Sequence, residues 1–252
     1  MKILSPAKIN LTLDVLKKDF SGYHQITTIY HEVSSLTDEL NFDLLKRPCI
    51  EFYCDHPNIP LNEENTIYQA AKLLQKKYSQ KKGVKIRLQK NIPICAGLGG
   101  SSSNAATTLK ALNKLWQLNL SVEQLLSCAA KIGMDVPFFI LGGAAIGSHY
   151  GEILTPLPVL LNHQIEIIRT NIPVSTQNAY EGLNLSLCGK NQNDTLTLIR
   201  ALKKEARNNI EQLLHNDFEK NFFANYPEIK KNYPKAHLSG TGGALFQLIP
   251  VK

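Results

Sequence analysis

Near the start of the chain Ile9, Leu11, Leu13 and Val15 alternate with Lys8, Asn10, Thr12 and Asp14. That is the period-two pattern of a half-buried strand, with Lys8 and Asn10 on the face opposite the aliphatic row. The strand is read over residues 2–15, with an irregular beginning at Pro6, whose ring fixes φ and removes an N–H. A polar loop follows at 17–24, and alternation resumes at 26–30 and again near 39–44. Residues 50–53 read as a further short strand. The period then changes. Over 65–78, Ile67, Ala70, Ala71 and Leu74 share one face while Lys72, Lys76 and Lys77 lie off it, which predicts an amphipathic helix. Alternation returns at 84–88. From Ala105 the spacing of Leu109, Leu112, Leu115 and Trp116 is helical, so a helix is expected to open near Ser102 or Ser103 and run to about Gln117. Ser121-Val122-Glu123-Gln124 is a capping box for a helix to Ile132, which Gly133 ends.

Residues 134–140 read as a tight turn leading into a small-residue strand at 144–147, which finishes at Gly151-Glu152. Thr155-Pro156-Leu157-Pro158 marks a boundary, dividing a domain at 1–154 from one at 155–252. A strand is expected at 164–169, helical pieces broken by Pro227 over 194–232, and a glycine loop at 239–243 feeding a last strand. Helices and strands mix without regular βαβ alternation, so the predicted class is α+β.

Composition narrows the function classes. With 252 residues, 43% of them hydrophobic and 19% charged, the chain is that of an ordinary globular protein with room for a large core. Its five cysteines form no CxxC pair and leave one over, which reads as reduced thiols of a cytoplasmic protein. No signal or transit segment precedes the first strand, and no apolar run approaches the roughly 20 residues of a membrane span. The net charge of +7 fits anionic ligands or a nucleic-acid surface. The lysines sit on solvated helix faces and loops without a recognition helix or RNA-binding aromatics, so neither nucleic acid nor membrane is an expected partner.

Pro93-Ile94-Cys95-Ala96-Gly97-Leu98-Gly99-Gly100-Ser101-Ser102-Ser103-Asn104-Ala105-Ala106 lies between the 84–88 strand and the helix after it. Glycines there let the backbone take positive φ and another molecule come close, and serines at the helix start offer hydroxyls beside unpaired N–H groups. That chemistry suits a phosphate. A turn that merely packs the helix on its strand is the competing reading. The loop matches neither GxxxxGK[ST] nor, lacking a glycine at 102, GxGxxG.

Three motifs in order identify a resemblance to the GHMP kinases: Ser5-Pro6-Ala7-Lys8-Ile9-Asn10-Leu11, the loop 93–106, and Leu238-Ser239-Gly240-Thr241-Gly242-Gly243-Ala244. Gly22-Tyr23-His24 and Gly133-Met134-Asp135-Val136-Pro137-Phe138-Phe139 resemble the branch whose substrate is a cytidine-diphosphate ester of methylerythritol. The resemblance implies a two-domain α+β fold, with a ribosomal-protein-S5-like N-terminal domain and a ferredoxin-like C-terminal one. ATP and substrate lie in that family's cleft. It implies phosphate transfer from ATP, with Mg²⁺, to the substrate 2-hydroxyl in the non-mevalonate route to isoprenoids. Homoserine or mevalonate kinase activity is the alternative within the fold, and a non-enzymatic RNA-binding protein the alternative outside it. Two departures are seen. The chain stops at Lys252, where family members continue through another strand and helix, so a shortened C-terminal domain is expected. Gly243 stands where a small residue or cysteine is usual.

By the same resemblance Asp135 is the base for the hydroxyl, and Lys8 keeps it ionised and steers the acceptor. Asn10 bonds substrate or Asp135. Pro93, Gly97, Leu98, Gly99, Gly100, Ser101, Ser102 and Ser103 wrap the ATP phosphates, with one serine a candidate for the metal, whose ligands stay unassigned. Asn65 and Lys90, with Thr66, Ile67 and Asn91, fall to the adenosine side. Tyr23 stacks on the cytosine and His24 hydrogen-bonds it, with Tyr180 as the opposite face and Thr176 nearby. Gly240 and Thr241, with Ser239, Gly242 and Gly243, line the substrate and phosphate side. A monomer or weak homodimer is expected.

Overall fold

In a computed structural model residues 1–20, 22–78, 80–204 and 210–251 are described. The elements are β1 (Lys2–Lys18), β2 (His24–Leu45), β3 (Ile50–Cys54), α1 (Thr66–Lys77), β4 (Gly83–Gln89), α2 (Gly100–Leu115), α3 (Val122–Ala129) and α4 (Val136–Leu141). They continue as β5 (Ala144–Ser148), β6 (Ile153–Leu157), β7 (His163–Arg169), α5 (Thr176–Glu181), α6 (Gln192–Lys203), β8 (His215–Asn216), α7 (Glu219–Asn225), α8 (Pro227–Asn232), β9 (His237–Leu238) and β10 (Ala244–Pro250). The class is α+β. Ser21 of the polar loop and residues 205–209 of the helical stretch 194–232 lie outside the described residues.

The chain forms two units that are interleaved in sequence. The first holds Met1–Ala7, Ser34–Ile92 and Gly99–Leu141, the second Lys8–Val33, Pro93–Leu98 and Gly142–Lys252. The cut after residue 154 read from the Pro-rich stretch falls inside β6, which pairs with β5 from Ala144↔Leu157 to Ser148↔Ile153.

In the first unit β2 pairs antiparallel with β4 over Glu39–Leu45, and β3 pairs parallel with β4. Leu40, Phe42, Val84 and Ile86 are buried, and so is the α1 stripe of Ile67, Ala70, Ala71 and Leu74. Asn65 caps α1 by accepting the Ile67 N–H at 2.8 Å. The Ser121 and Gln124 capping box is present, though α3 stops at Ala129 and gives way to a turn before Gly133. Two expectations change. β1 runs extended straight through Pro6, since a ring-fixed φ is compatible with a strand that does not need that donor. The run 136–140 is helical. A short, wholly apolar stretch has no period to separate helix from strand, and Pro137 sits in the first turn, where its missing N–H costs nothing.

In the second unit β1 pairs parallel with β8 through Thr12↔His215 and Leu13↔Asn216, and β2 pairs with β5 over Thr28–His31. A separate antiparallel sheet has the order β7-β10-β9. The core is Leu13, Val15, Ile26, Ala179, Phe218, Phe222, Ala236, Leu238 and Leu245. Buried Asp14 joins β1 to α6 and β8: it accepts from Thr195 Oγ1 at 2.6 Å, and His215 Nε2 lies 3.1 Å from it. His215 Nδ1 faces the Leu213 carbonyl at 3.0 Å, so both ring nitrogens meet acceptors, an arrangement that favours the imidazolium form. Burial alone loosens that proton, but the hydrogen bond and charge of Asp14 outweigh it, and the pKa is raised above 6.5. A raised folded pKa contributes stability that is complete below the unfolded value and lost as pH rises through the folded one. The melting midpoint is therefore expected to fall as pH rises from about 6.5 through the raised folded pKa, with a shallower slope in His215→Gln. Equal slopes in the two proteins would remove this ion pair from the account.

Candidate active site

In the second unit Lys8 is 3% exposed although it belongs to the polar row of β1, because that strand is buried on both faces. Its Nζ donates to Asn10 Oδ1 at 2.6 Å and lies 5.7 Å from the Tyr30 ring centre. Asn10 Nδ2 donates in turn to Thr28 Oγ1 at 2.8 Å, and Thr28 Oγ1 to the Thr12 carbonyl at 2.6 Å. These bonds fix the position of the Lys8 ammonium group.

The glycine loops meet at this lysine. Lys8 N–H donates to the Leu98 carbonyl at 3.0 Å, and Ser239 Oγ to the Gly97 carbonyl at 3.0 Å. Gly97, at φ +71°, faces Ser239 so closely that a Cβ would collide with its carbonyl. Gly240, at φ +54°, comes closer still to the lysine: a Cβ there would stand 2.8 Å from Gly97 O and 3.2 Å from Lys8 Nζ. Thr241 Oγ1 lies 3.4 Å from Thr176 Oγ1 at the start of α5.

α5 also carries Tyr180, whose ring is stacked on His24 at 4.8 Å and 19°. Tyr23, 55% exposed, rests instead against Tyr150 at 5.3 Å and 39°, and the Tyr150 hydroxyl donates to the Asp19 carboxylate. His24, expected at the cytosine edge, is thus the residue that stacks on Tyr180. Tyr150 gave no signal in the sequence beyond being an aromatic near Gly151. Burial, and then the Lys18 charge, lower the His24 pKa below 6.5 against the opposing pull of Asp19. A neutral imidazole presents one donor and one acceptor.

In the first unit α2 opens at Gly100, earlier than the hydrophobic spacing predicts, with Gly99 as N-cap and no side-chain cap. The serines therefore occupy the first turn and do not cap it. Ser103 is buried, with its N–H on the Gly99 carbonyl at 2.8 Å and its hydroxyl 2.7 Å from that of Ser5. Its N–H and hydroxyl both engage partners within the protein, whereas Ser101 is exposed and Ser102 half-buried. Thr66 Oγ1 donates to the Ser101 carbonyl at 2.9 Å. Asn65 uses its amide on Ile67 and on the Pro60 carbonyl, so it shapes the α1 start.

Lys90 is tied to Asp38, a residue without any sequence signal. Lys90 Nζ donates to Asp38 Oδ2 at 2.7 Å and to the Ile92 carbonyl at 2.5 Å. It stands 3.0 Å from where a Gly100 Cβ would be, against the start of α2. Asp38, fully buried, also accepts from the Asn91 and Ile92 N–H groups at 2.7 and 2.8 Å and from Asn104 Nδ2 at 3.0 Å. Burial lowers the Lys90 pKa, and the Asp38 charge offsets this only in part. Asn91 Nδ2 is held by the Thr37 carbonyl at 2.9 Å. Asp135 is half-buried in the turn immediately before α4, as the Gly133 and Pro137 signals predict. Among the described residues no group of three or more His, Cys, Asp and Glu side chains is placed to hold a metal ion.

Glycine loops packed beside a buried lysine on an α+β scaffold are an arrangement that suits a small-molecule kinase. Residues 65–143 match the family model described as the GHMP kinases N terminal domain. The chain is 39% identical to the 4-diphosphocytidyl-2-C-methyl-D-erythritol kinase of Shouchella clausii, over 96% of this chain and 81% of that one. It is 40% identical to the same-named protein of Caldicellulosiruptor saccharolyticus, over 98% and 87%. A solved structure described as 4-(cytidine 5'-diphospho)-2C-methyl-D-erythritol kinase superposes with a TM-score of 0.82 at 30% identity, over all of this chain and 91% of that one. A homoserine kinase from Cytophaga hutchinsonii gives 0.81 at 19% identity, over 100% and 85%, and so shares the fold. The chain belongs to the 4-diphosphocytidyl-2-C-methyl-D-erythritol kinase family, a branch of the GHMP kinases.

Proposed function

We propose that this chain transfers the γ-phosphate of ATP to the 2-hydroxyl of 4-diphosphocytidyl-2-C-methyl-D-erythritol, in the non-mevalonate isoprenoid pathway. The observation that carries the reading is the meeting of Lys8 Nζ, Gly97 and Gly240, one residue from each of three distant motifs. Asp135 takes the hydroxyl proton as the oxygen attacks phosphorus and ADP leaves with the bridging oxygen. Lys8 steadies the acceptor oxygen and the charge on the transferring group, with Asn10 orienting it. The N–H groups of residues 97–102 hold the phosphates at the α2 start, and Lys90 brings a charge close to it. Mg²⁺ would enter on the phosphates, with the Ser101 or Ser102 hydroxyl as protein ligand, and would neutralise their charge. His24, stacked on Tyr180, reads the cytosine edge, and Tyr23 offers a ring face. Thr176, Gly240 and Thr241 line the rest of the substrate.

The reading takes residues 1–154 as the ATP-binding domain and 155–252 as the C-terminal one. It describes a cytoplasmic monomer or weak homodimer without nucleic-acid or membrane partners. Among the described residues no helix is long and apolar enough to cross a membrane. Its test is phosphate transfer from ATP and Mg²⁺ by pure protein, with CDP, homoserine and mevalonate as competitors. CDP should inhibit and the other two should not. Tyr180→Ala should raise KM for the cytidyl substrate about tenfold, as expected for losing about 1–3 kcal/mol of stacking support, with KM for ATP unchanged. Transfer to homoserine or mevalonate in place of the cytidyl alcohol would reassign the substrate.

A further inference from the structure

The glycine loop at 239–243 is fastened by a residue with no part in the chemistry above. Asn216, 5% exposed, donates from Nδ2 to the carbonyls of Leu238 at 2.9 Å and Gly240 at 2.7 Å. Its Oδ1 accepts the Phe218 N–H at 3.0 Å, so both ends of the amide are engaged. The residues beside it fasten other parts of the same unit. His215 is bound to Asp14 of β1, the strand that carries Lys8 and Asn10. Asp217 accepts from the Val15 and Gly189 N–H groups at 2.7 and 2.8 Å. Phe218 meets the Tyr180 ring edge to face at 4.9 Å and 88°.

We propose that Asn216 is a positioning residue for phosphoryl transfer, clamping the Gly240 loop against Lys8 and Gly97. The inference rests on the kinase reading. Gly240, Gly242 and Gly243 all hold positive φ, and glycine has many other conformations open to it, so the loop needs an outside restraint to keep one shape. Two donors on one planar amide, reaching carbonyls two residues apart, supply that restraint. Asp at this position would keep the acceptor for Phe218 and set carboxylate oxygens against two carbonyls. Ser would retain one donor.

Asn216→Asp and Asn216→Ser are compared with wild type by hydrogen exchange and by steady-state kinetics. Exchange of the Ser239 and Gly242 amides, which bond the Ala244 and Ser239 carbonyls, should quicken about tenfold or more in Asn216→Asp, while the β7–β10 amides keep wild-type rates. A misplacement on the order of 1 Å costs about 10²-fold, so kcat should fall by about that factor, with KM for ATP little changed and Asn216→Ser in between. Unchanged exchange, loosening spread through the whole unit, or local loosening at wild-type kcat would each overturn the proposal. If Asn216→Asp does not fold, Asn216→Ser decides by the same readouts. A wild type inactive on every alcohol tried would overturn the kinase reading and the catalytic half of this inference, and exchange would still judge the clamp.

Discussion

Asp135→Asn is expected to lower kcat by about 10²–10⁴-fold, the usual cost of losing a general base. The substitution keeps the size and planarity of the side chain and removes only its capacity to take a proton. Asp135 is suited to the role because it sits in a turn closed by the Val136 N–H to Gly133 carbonyl bond at 3.2 Å, directly ahead of buried Val136 and Pro137. Its backbone is thus held by packing on one side and a closed turn on the other. Because the phosphate-holding groups lie elsewhere in sequence, binding of ATP, followed by calorimetry, should be close to wild type. Activity within tenfold of wild type would move the base to another group and leave the substrate assignment standing.

The second large effect is on stability. Asp38→Ala should cost about 3–5 kcal/mol, because it leaves the Lys90 ammonium buried without its counter-charge. Lys90 and Asp38 side chains are 5% and 0% exposed, so water cannot replace the carboxylate. The Asn91 and Ile92 N–H groups and the Asn104 amide lose an acceptor as well. For a chain of this size the thermal midpoint should drop by roughly 6–20 °C. The double substitution Asp38→Leu with Lys90→Met should recover only part of the loss, since it removes the uncompensated charge but does not restore the acceptor for Asn91, Ile92 and Asn104. A drop of less than a few degrees in Asp38→Ala would show that the carboxylate is not what holds residues 90–92 and 104 together. No recovery in the double variant would place the loss in the backbone bonds and not in the ion pair.

Much of the scaffold was legible from residues close together in the chain. The stripe Ile67, Ala70, Ala71 and Leu74, the Asn65 cap and the Ser121 and Gln124 box are all settled within a turn or two of helix. Recognition of the three motifs likewise needed only short stretches, and it picked out Lys8, Gly97 and Gly240 before any geometry was known. Where reading stopped, the reason was physical. The run 136–141 is apolar throughout, so nothing in its pattern separates helix from strand. The α2 start was placed late because hydrophobic spacing cannot register a first turn made of glycine and serine.

What the sequence by itself determined is therefore the inventory of elements and the chemistry-bearing motifs. Periodicity, capping and glycine conformations act over a few residues. What only the tertiary structure decided is the partner of each buried polar group. Asp38 reaches Lys90 52 positions away, and Asp14 reaches His215 across 201. Asn216 turns to Gly240, His24 to Tyr180, and Ser103 inward to Ser5. A polar side chain taken out of water must pair with whatever the fold brings within about 3 Å. That choice depends on packing of the whole chain, and no local pattern encodes it.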